Sequence, residues 1–253
     1  MQTTLLTLGL AALATAAPAV TPRQTVPHYP PSSVSKGFRL ISNVTDPTRD
    51  LTPSVHGFAL GGIHIGPPNS RSVLSPQADN TSRLFYLNGT ASDLTLGTTR
   101  IVSDGGTPPF PWGVHVQGPD EFDLPANPGS HATFINGGST LDVGITKFPD
   151  PYSVLVNRKA EGGSAGGTFV ACYHEVPYYR RPFVVVDYAY ATVDPDTALP
   201  VVKVPEGCAP ITLIPQCAVL NDLPPDAISS HEFALDQKCY EDVASIDWKQ
   251  YGP

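Results

Sequence analysis

From Gly37 onward, short runs of apolar and β-branched residues recur between clusters of Gly, Pro, Asn and Ser. Runs of this length with period-two alternation, bounded by turn formers, read as half-buried strands. The segments so predicted are 55–65, 82–87, 91–96, 100–103, 113–117, 131–135, 140–146, 153–156, 168–174, 182–191 and 201–204. The richest reads Phe183-Val184-Val185-Val186-Asp187-Tyr188-Ala189-Tyr190, β-branched or aromatic at nearly every position. Asn88-Gly89, set between two of these runs, is a strong hairpin signal, so 82–87 and 91–96 are expected to pair. About a dozen short antiparallel strands predict an all-β sandwich, or alternatively a closed barrel.

The two ends depart from this pattern. Ser229-Ser230-His231-Glu232 fits a capping box. Leu235, Cys239, Val243 and Ile246 follow at spacings of 4, 4 and 3, one face of a helix. One helix is therefore expected within a C-terminal extension, 221–253, attached to a β domain spanning 37–220. At the other end Leu5 to Ala17 is an apolar stretch of 13 residues, too short to span a bilayer. It contains the A-x-A cleavage pattern Ala14-Thr15-Ala16. Residues 1–16 read as a signal peptide, although its first residues lack Lys and Arg. Residues 17–36, rich in Pro, Ser and Thr, read as a disordered linker.

Composition narrows the partners. The chain has 253 residues, net charge −8 and only 15% charged residues. Phosphate backbones are recognised by Lys and Arg, and no basic stripe is present, which excludes nucleic acid. Adsorption to anionic membranes is disfavoured for the same reason. No later apolar run reaches transmembrane length, and Trp248 to Pro253 is not a lipid-anchor tail, so no membrane anchor is expected. The address implied is secreted and extracellular.

Secretion gives meaning to Cys172, Cys208, Cys217 and Cys239, which then form two bridges. The segment from Cys208 to Cys217 looks extended. Nine steps at about 3.3 Å separate these two by about 30 Å, beyond the reach of a disulfide. That disfavours 208–217. We favour 172–208 with 217–239, the second pinning the C-terminal segment to the body. Three N-x-S/T sequons, at Asn43, Asn80 and Asn88, are expected glycan sites.

The chemistry-bearing motifs are weak. Gly162 to Gly166 matches G-x-S-x-G, but a nucleophile elbow needs a helix after it, and the β-rich Gly167 to Cys172 follows. The pairs His174-Glu175 and His231-Glu232 lack the second His of H-E-x-x-H, since Tyr178 and Leu235 stand there. Copper oxygenases that bind metal through an N-terminal histidine are excluded, because no plausible cleavage exposes one. His56, His64, His115 and His174 lie on or beside strands but show no ligand spacing. Asp187, alone in an apolar strand, would have a raised pKa if unpaired and could serve as an acid; an Arg partner is the commoner outcome. Asp120-Glu121-Phe122-Asp123 reads as a solvated loop. No catalytic residue, metal site or cofactor is assigned. Two aromatic clusters offer apolar faces to sugar rings, so a ligand patch is expected at Trp112, Tyr178, Tyr179 and Arg180, with core filling the competing role for Trp112.

Four motifs then occur in order: Leu84 to Thr90, Phe110-Pro111-Trp112-Gly113, Gly167 to Pro177, and Pro205-Glu206-Gly207-Cys208-Ala209. Together they make the chain resemble a group of small secreted proteins of filamentous ascomycete fungi, classed as a domain of unknown function. The resemblance covers about Gly37 to Cys217. It implies a pairing of Cys172 with Cys208, in agreement with the preference above. The chain departs from the group at Ile65 to Pro68, and it adds Cys217, Cys239 and the expected C-terminal helix. The group carries no activity to transfer.

Two functional classes follow. The favoured one is a non-enzymatic secreted module that is cell-wall-associated, carbohydrate-binding or host-interacting, with a wall polysaccharide or a host protein as partner. The alternative is an extracellular hydrolase or lyase acting on a polysaccharide or ester, its carboxylates dispersed over several strands.

Overall fold

The computed structural model describes residues 29–67, 69–118, 126–138, 140–146, 153–161 and 166–251. The expected signal peptide lies outside these residues, as do most of the expected linker, the Ser of the G-x-S-x-G sequence and the Asp120–Asp123 run.

The strands in chain order are β1 (Ser33–Ser35), β2 (Gly37–Val44), β3 (Ala59–Gly66), β4 (Asn69–Ser75) and β5 (Phe85–Asn88). After helix α1 (Ala91–Leu96) come β6 (Arg100–Gly105), β7 (Phe110–Val116), β8 (His131–Gly137), β9 (Val143–Ile145) and β10 (Leu155–Asn157). The last are β11 (Gly167–Val176), β12 (Arg181–Val193), β13 (Pro200–Val202), β14 (Cys208–Ala218), β15 (Ala234–Leu235) and β16 (Gln237–Cys239).

The architecture is a closed nine-strand antiparallel barrel with extra strands, not a sandwich. The reason lies in strands that change partner along one edge. β2 pairs with β5 at Gly37 and Phe38, then with β3 at Ile41. β12 pairs with β4 at Val185 and with β8 at Asp187 and Tyr188. These joints close the sheet on itself and remove the free edges that two stacked sheets would keep. One apolar cluster takes alternate positions from the strands around the ring, including Phe38, Leu60, Phe85, Val114, Ile135, Ala171 and Leu213. That alternation places the cluster inside the barrel.

Three local expectations are corrected. Residues 91–96 form helix α1 and not the second strand of a hairpin. Thr90 accepts from the Asp93 backbone N–H while the Asp93 carboxylate accepts from the Thr90 N–H, and Gly97 ends the helix in the left-handed region. The partner of β5 is instead β6, with Leu87 opposite Ile101. The expected C-terminal α-helix is also absent among the described residues, which form there only two short 3-10 turns, at Val243–Ser245 and Trp248–Gln250. Ser230 Oγ accepts from the Glu232 N–H, which makes a tight turn. Residues 237–239 then run as β16, antiparallel to β1. Here β-sheet bonds and a disulfide override a spacing that also suits a helix. Finally, Ser33–Ser35 belongs to a strand, so ordered structure begins within the segment expected as linker.

The C-terminal segment is part of the body. Tyr240 and Val243 are fully buried against Ile41, Ala59 and Ile214. The disulfides are Cys172–Cys208 and Cys217–Cys239, with Cα separations of 4.4 and 5.1 Å. Cys172 and Cys208 are direct cross-strand neighbours on β11 and β14. Cys208 and Cys217 sit near opposite ends of the single strand β14.

Candidate binding site

The carboxylate singled out in the sequence is structural. Asp187 is fully buried and forms an ion pair with Arg71 of β4. Its other oxygen accepts from the Asn127 backbone N–H at 3.2 Å, the Asn127 amide at 3.1 Å and the Ser130 hydroxyl at 3.0 Å. Arg71 also donates to the carbonyls of Thr133 and Val186. A buried carboxylate whose oxygens are filled by this many donors leaves no approach for a substrate.

The expected aromatic patch divides. Tyr178, Tyr179 and Arg180 sit at the turn between β11 and β12, where Arg180 adopts φ 50° and its N–H donates to the Val176 carbonyl. Two further rings join the tyrosines: Tyr178 lies edge-on to His64 of β3 at 5.7 Å, and Tyr179 edge-on to Phe183 of β12 at 5.2 Å. Arg181, not Arg180, covers the Phe183 ring at 4.4 Å. Tyr178 is 61% exposed and Tyr179 37%. Three exposed rings, Tyr178, Tyr179 and His64, backed by the half-buried Phe183, thus form a continuous ridge on a tight hairpin. His64 escaped the sequence reading because the barrel, not the local sequence, brings β3 beside this turn, and Phe183 reads in the sequence only as a strand residue. Trp112 is elsewhere, inside the barrel against Phe110 at 5.3 Å.

Beside Trp112 lies a cleft of about 350 Å³. It forms where the inner faces of β6 and β7 reach their connecting turn, with Ser103 directly across from Trp112. Arg83 supplies its floor and lies over the Trp112 ring at 5.0 Å. Asn80, Thr81 and Ser82 form one rim, and Asn221, Leu223 and Pro224 of the C-terminal segment another. That segment is tied to the hairpin by the Ile228 N–H donating to the Pro109 carbonyl at 2.7 Å. Burial pushes the Arg83 pKa down, yet a guanidinium stays charged in any such setting. The Asp104 carboxylate is engaged by other partners, accepting from the Tyr86 hydroxyl at 3.3 Å and from His231 Nε2 at 2.8 Å. Burial first, and the Asp104 charge second, push the Tyr86 phenol well above its usual range.

The histidines scatter. His56 meets the Ala244 carbonyl, His64 joins the aromatic ridge, and His115 pairs with Asp142. Among the described residues no three His, Cys, Asp or Glu side chains gather as a metal site. Burial alone would raise the Asp142 pKa. The hydrogen bond and charge of His115, with Lys159 at 3.3 Å, outweigh it and hold the carboxyl below its ordinary 3.8.

The sequons differ in setting. Asn80 is exposed on a turn. Asn43 is half-buried on β2, its amide reaching Thr212 across the β14 ladder at 3.4 Å. Asn88 ends β5, and the hydroxyl of its sequon residue Thr90 caps α1.

These features define a disulfide-stapled, closed β-barrel protein with an exposed aromatic ridge and a small cation-floored cleft. The chain belongs to the family described as Domain of unknown function (DUF7907), whose model matches residues 35–217. It is 40% identical over 233 residues to the antigenic protein SchS34 of the fungus Stachybotrys chartarum, a match that covers 91% of this chain and 97% of that protein. The similarity to SchS34 runs past the family's span, so flanking sequence is shared as well. No solved structure matches the chain. Two disulfides and an antigenic fungal relative are consistent with an extracellular protein.

Proposed function

We propose that this protein is a secreted, non-enzymatic module of the fungal exterior that binds cell-wall carbohydrate through the aromatic ridge of the β11–β12 hairpin. The observation that carries the reading is the ridge itself: Tyr178 and Tyr179, exposed and braced edge-on by His64 and Phe183. Tyrosine offers sugar an apolar face and a polar tip at low entropic cost, since only two torsions must be held. Bracing by neighbouring rings lowers that cost further. Secretion is supported by the apolar leader and by two disulfides of the kind that persist outside the cytosol. The hydrolase alternative loses its one named carboxylate, because Asp187 is consumed by Arg71.

Sedimentation of the mature protein with insoluble chitin, β-glucan and cellulose tests the reading. Retention on at least one is expected. No retention on any of the three would overturn the carbohydrate assignment.

A further inference from the structure

Arg83 is a half-buried cation that has no carboxylate partner among the described residues. Arg71 has Asp187 and Lys159 has Asp142, but among the described residues no carboxylate stands within ion-pair distance of Arg83. The nearby Asp104 carboxylate is engaged by Tyr86 and His231, and only its backbone carbonyl reaches Arg83, at 3.4 Å. A guanidinium carries five N–H donors. Burial strips part of the water from them, and a half-buried guanidinium that lines a cleft is suited to an anionic ligand.

Two more features converge on the same corner. The Trp112 side chain is more than nine-tenths buried, and its Nε1 has no hydrogen-bond partner; the Ser82 hydroxyl is likewise buried and unpartnered. At Gly105 a Cβ would stand 2.8 Å from Arg83 Nη1 and 2.8 Å from Trp112 Nε1. Both donors therefore close on Gly105, a lining residue of the cleft, where any side chain would clash with them. On the other side a Cβ at Gly62 would meet Arg83 Nε at 3.4 Å. The guanidinium is seated between two glycines and an indole, and Arg83 lines the cleft.

We propose that this cleft is a binding site for a hydroxylated carboxylate, a uronic acid sugar being the class that fits. The planar fork of Arg83 suits a carboxylate held through two N–H bonds. Ser82 and Asn221 on the rims supply a hydroxyl and an amide for sugar hydroxyls. A volume of about 350 Å³ suits one sugar ring. The site is separate from the aromatic ridge and does not depend on it.

The test is a titration of the 15N-labelled mature protein with sodium D-glucuronate, followed through the Trp112 indole and Arg83 Nε–H signals. Both are expected to shift saturably with glucuronate and not with D-glucose or sodium chloride. Gly105→Ala, which fills the space between the two donors, is expected to abolish the shift, as is Arg83→Met. Should Arg83→Met fail to fold, the wild-type and Gly105→Ala titrations still decide. Absence of a saturable shift overturns the proposal. An equal response to inorganic phosphate overturns the carboxylate-sugar assignment.

Discussion

Arg71 on β4 and Asp187 on β12 form an ion pair closed to solvent on both sides, at the joint where the barrel shuts. Three strands and the 127–130 turn meet there, since Arg71 also holds the Thr133 and Val186 carbonyls and Asp187 holds Asn127 and Ser130. Breaking such a pair leaves a buried charge uncompensated and costs about 3–5 kcal/mol, whereas replacing both partners by apolar residues can be nearly neutral. Arg71→Met or Asp187→Asn alone should lower the urea midpoint sharply. Arg71→Met combined with Asp187→Leu should recover much of the loss. Single variants as stable as wild type would contradict the structural role.

This joint also explains what the sequence concealed. Strand β4, Asn69–Ser75, carries Ser70, Arg71 and Ser72 in fully or nearly fully buried positions. A hydropathy pattern cannot mark polar residues that are buried because a distant strand partners them. The strands with β-branched runs, β11, β12 and β14, were legible for the opposite reason. Ala91–Leu96 misled because Asn88-Gly89 outweighed Thr90 and Asp93, whose spacing is that of a helix cap. In the 229–246 segment a helical spacing was real, but bonds such as the Tyr240 N–H to the Pro215 carbonyl hold residues 234–240 against the sheet and leave only a 3-10 turn at Val243–Ser245. Of the candidate sites, the tyrosine turn was readable locally. The Arg83 cleft was not, because its parts lie on separate elements and its main signal is a glycine.

The Cys217–Cys239 bridge closes the segment that forms one wall of the cleft. In the chain-entropy model a loop of 22 residues is worth about 3 kcal/mol. Replacing both cysteines with serine should lower stability by about that amount and weaken glucuronate binding with it. Non-reducing peptide mapping should return the links 172–208 and 217–239. A 208–217 link would contradict the register of β14.

Asp142 sets a pH dependence. Its carboxyl lies below the ordinary value when folded, because His115 and Lys159 favour its charge. The unfolded chain therefore binds more protons between the two values. The stabilisation is complete above the ordinary value of 3.8 and is lost as pH falls through the lower, folded value. Asp142→Asn should flatten that part of the acid limb in a stability-versus-pH curve. An acid limb unchanged in the variant would contradict the assignment.

Asn80 offers the most open sequon, on an exposed turn at the rim of the cleft. Mass spectrometry of the protein expressed in a fungal host should find a glycan at Asn80, and Asn80→Gln should remove it. The half-buried Asn43, tied to Thr212, should be unmodified. The reverse pattern would contradict this reading of the surface.

The central claim is that the braced tyrosines make the carbohydrate contact. The direct measurement is a depletion isotherm on whichever polysaccharide retains the wild-type protein, compared with a variant carrying Tyr178→Ala and Tyr179→Ala. Both side chains are exposed, so the variant should fold and melt as wild type does. At least about a tenfold loss of affinity is expected, a change of about 1.4 kcal/mol. An isotherm that superimposes on the wild-type curve would contradict it.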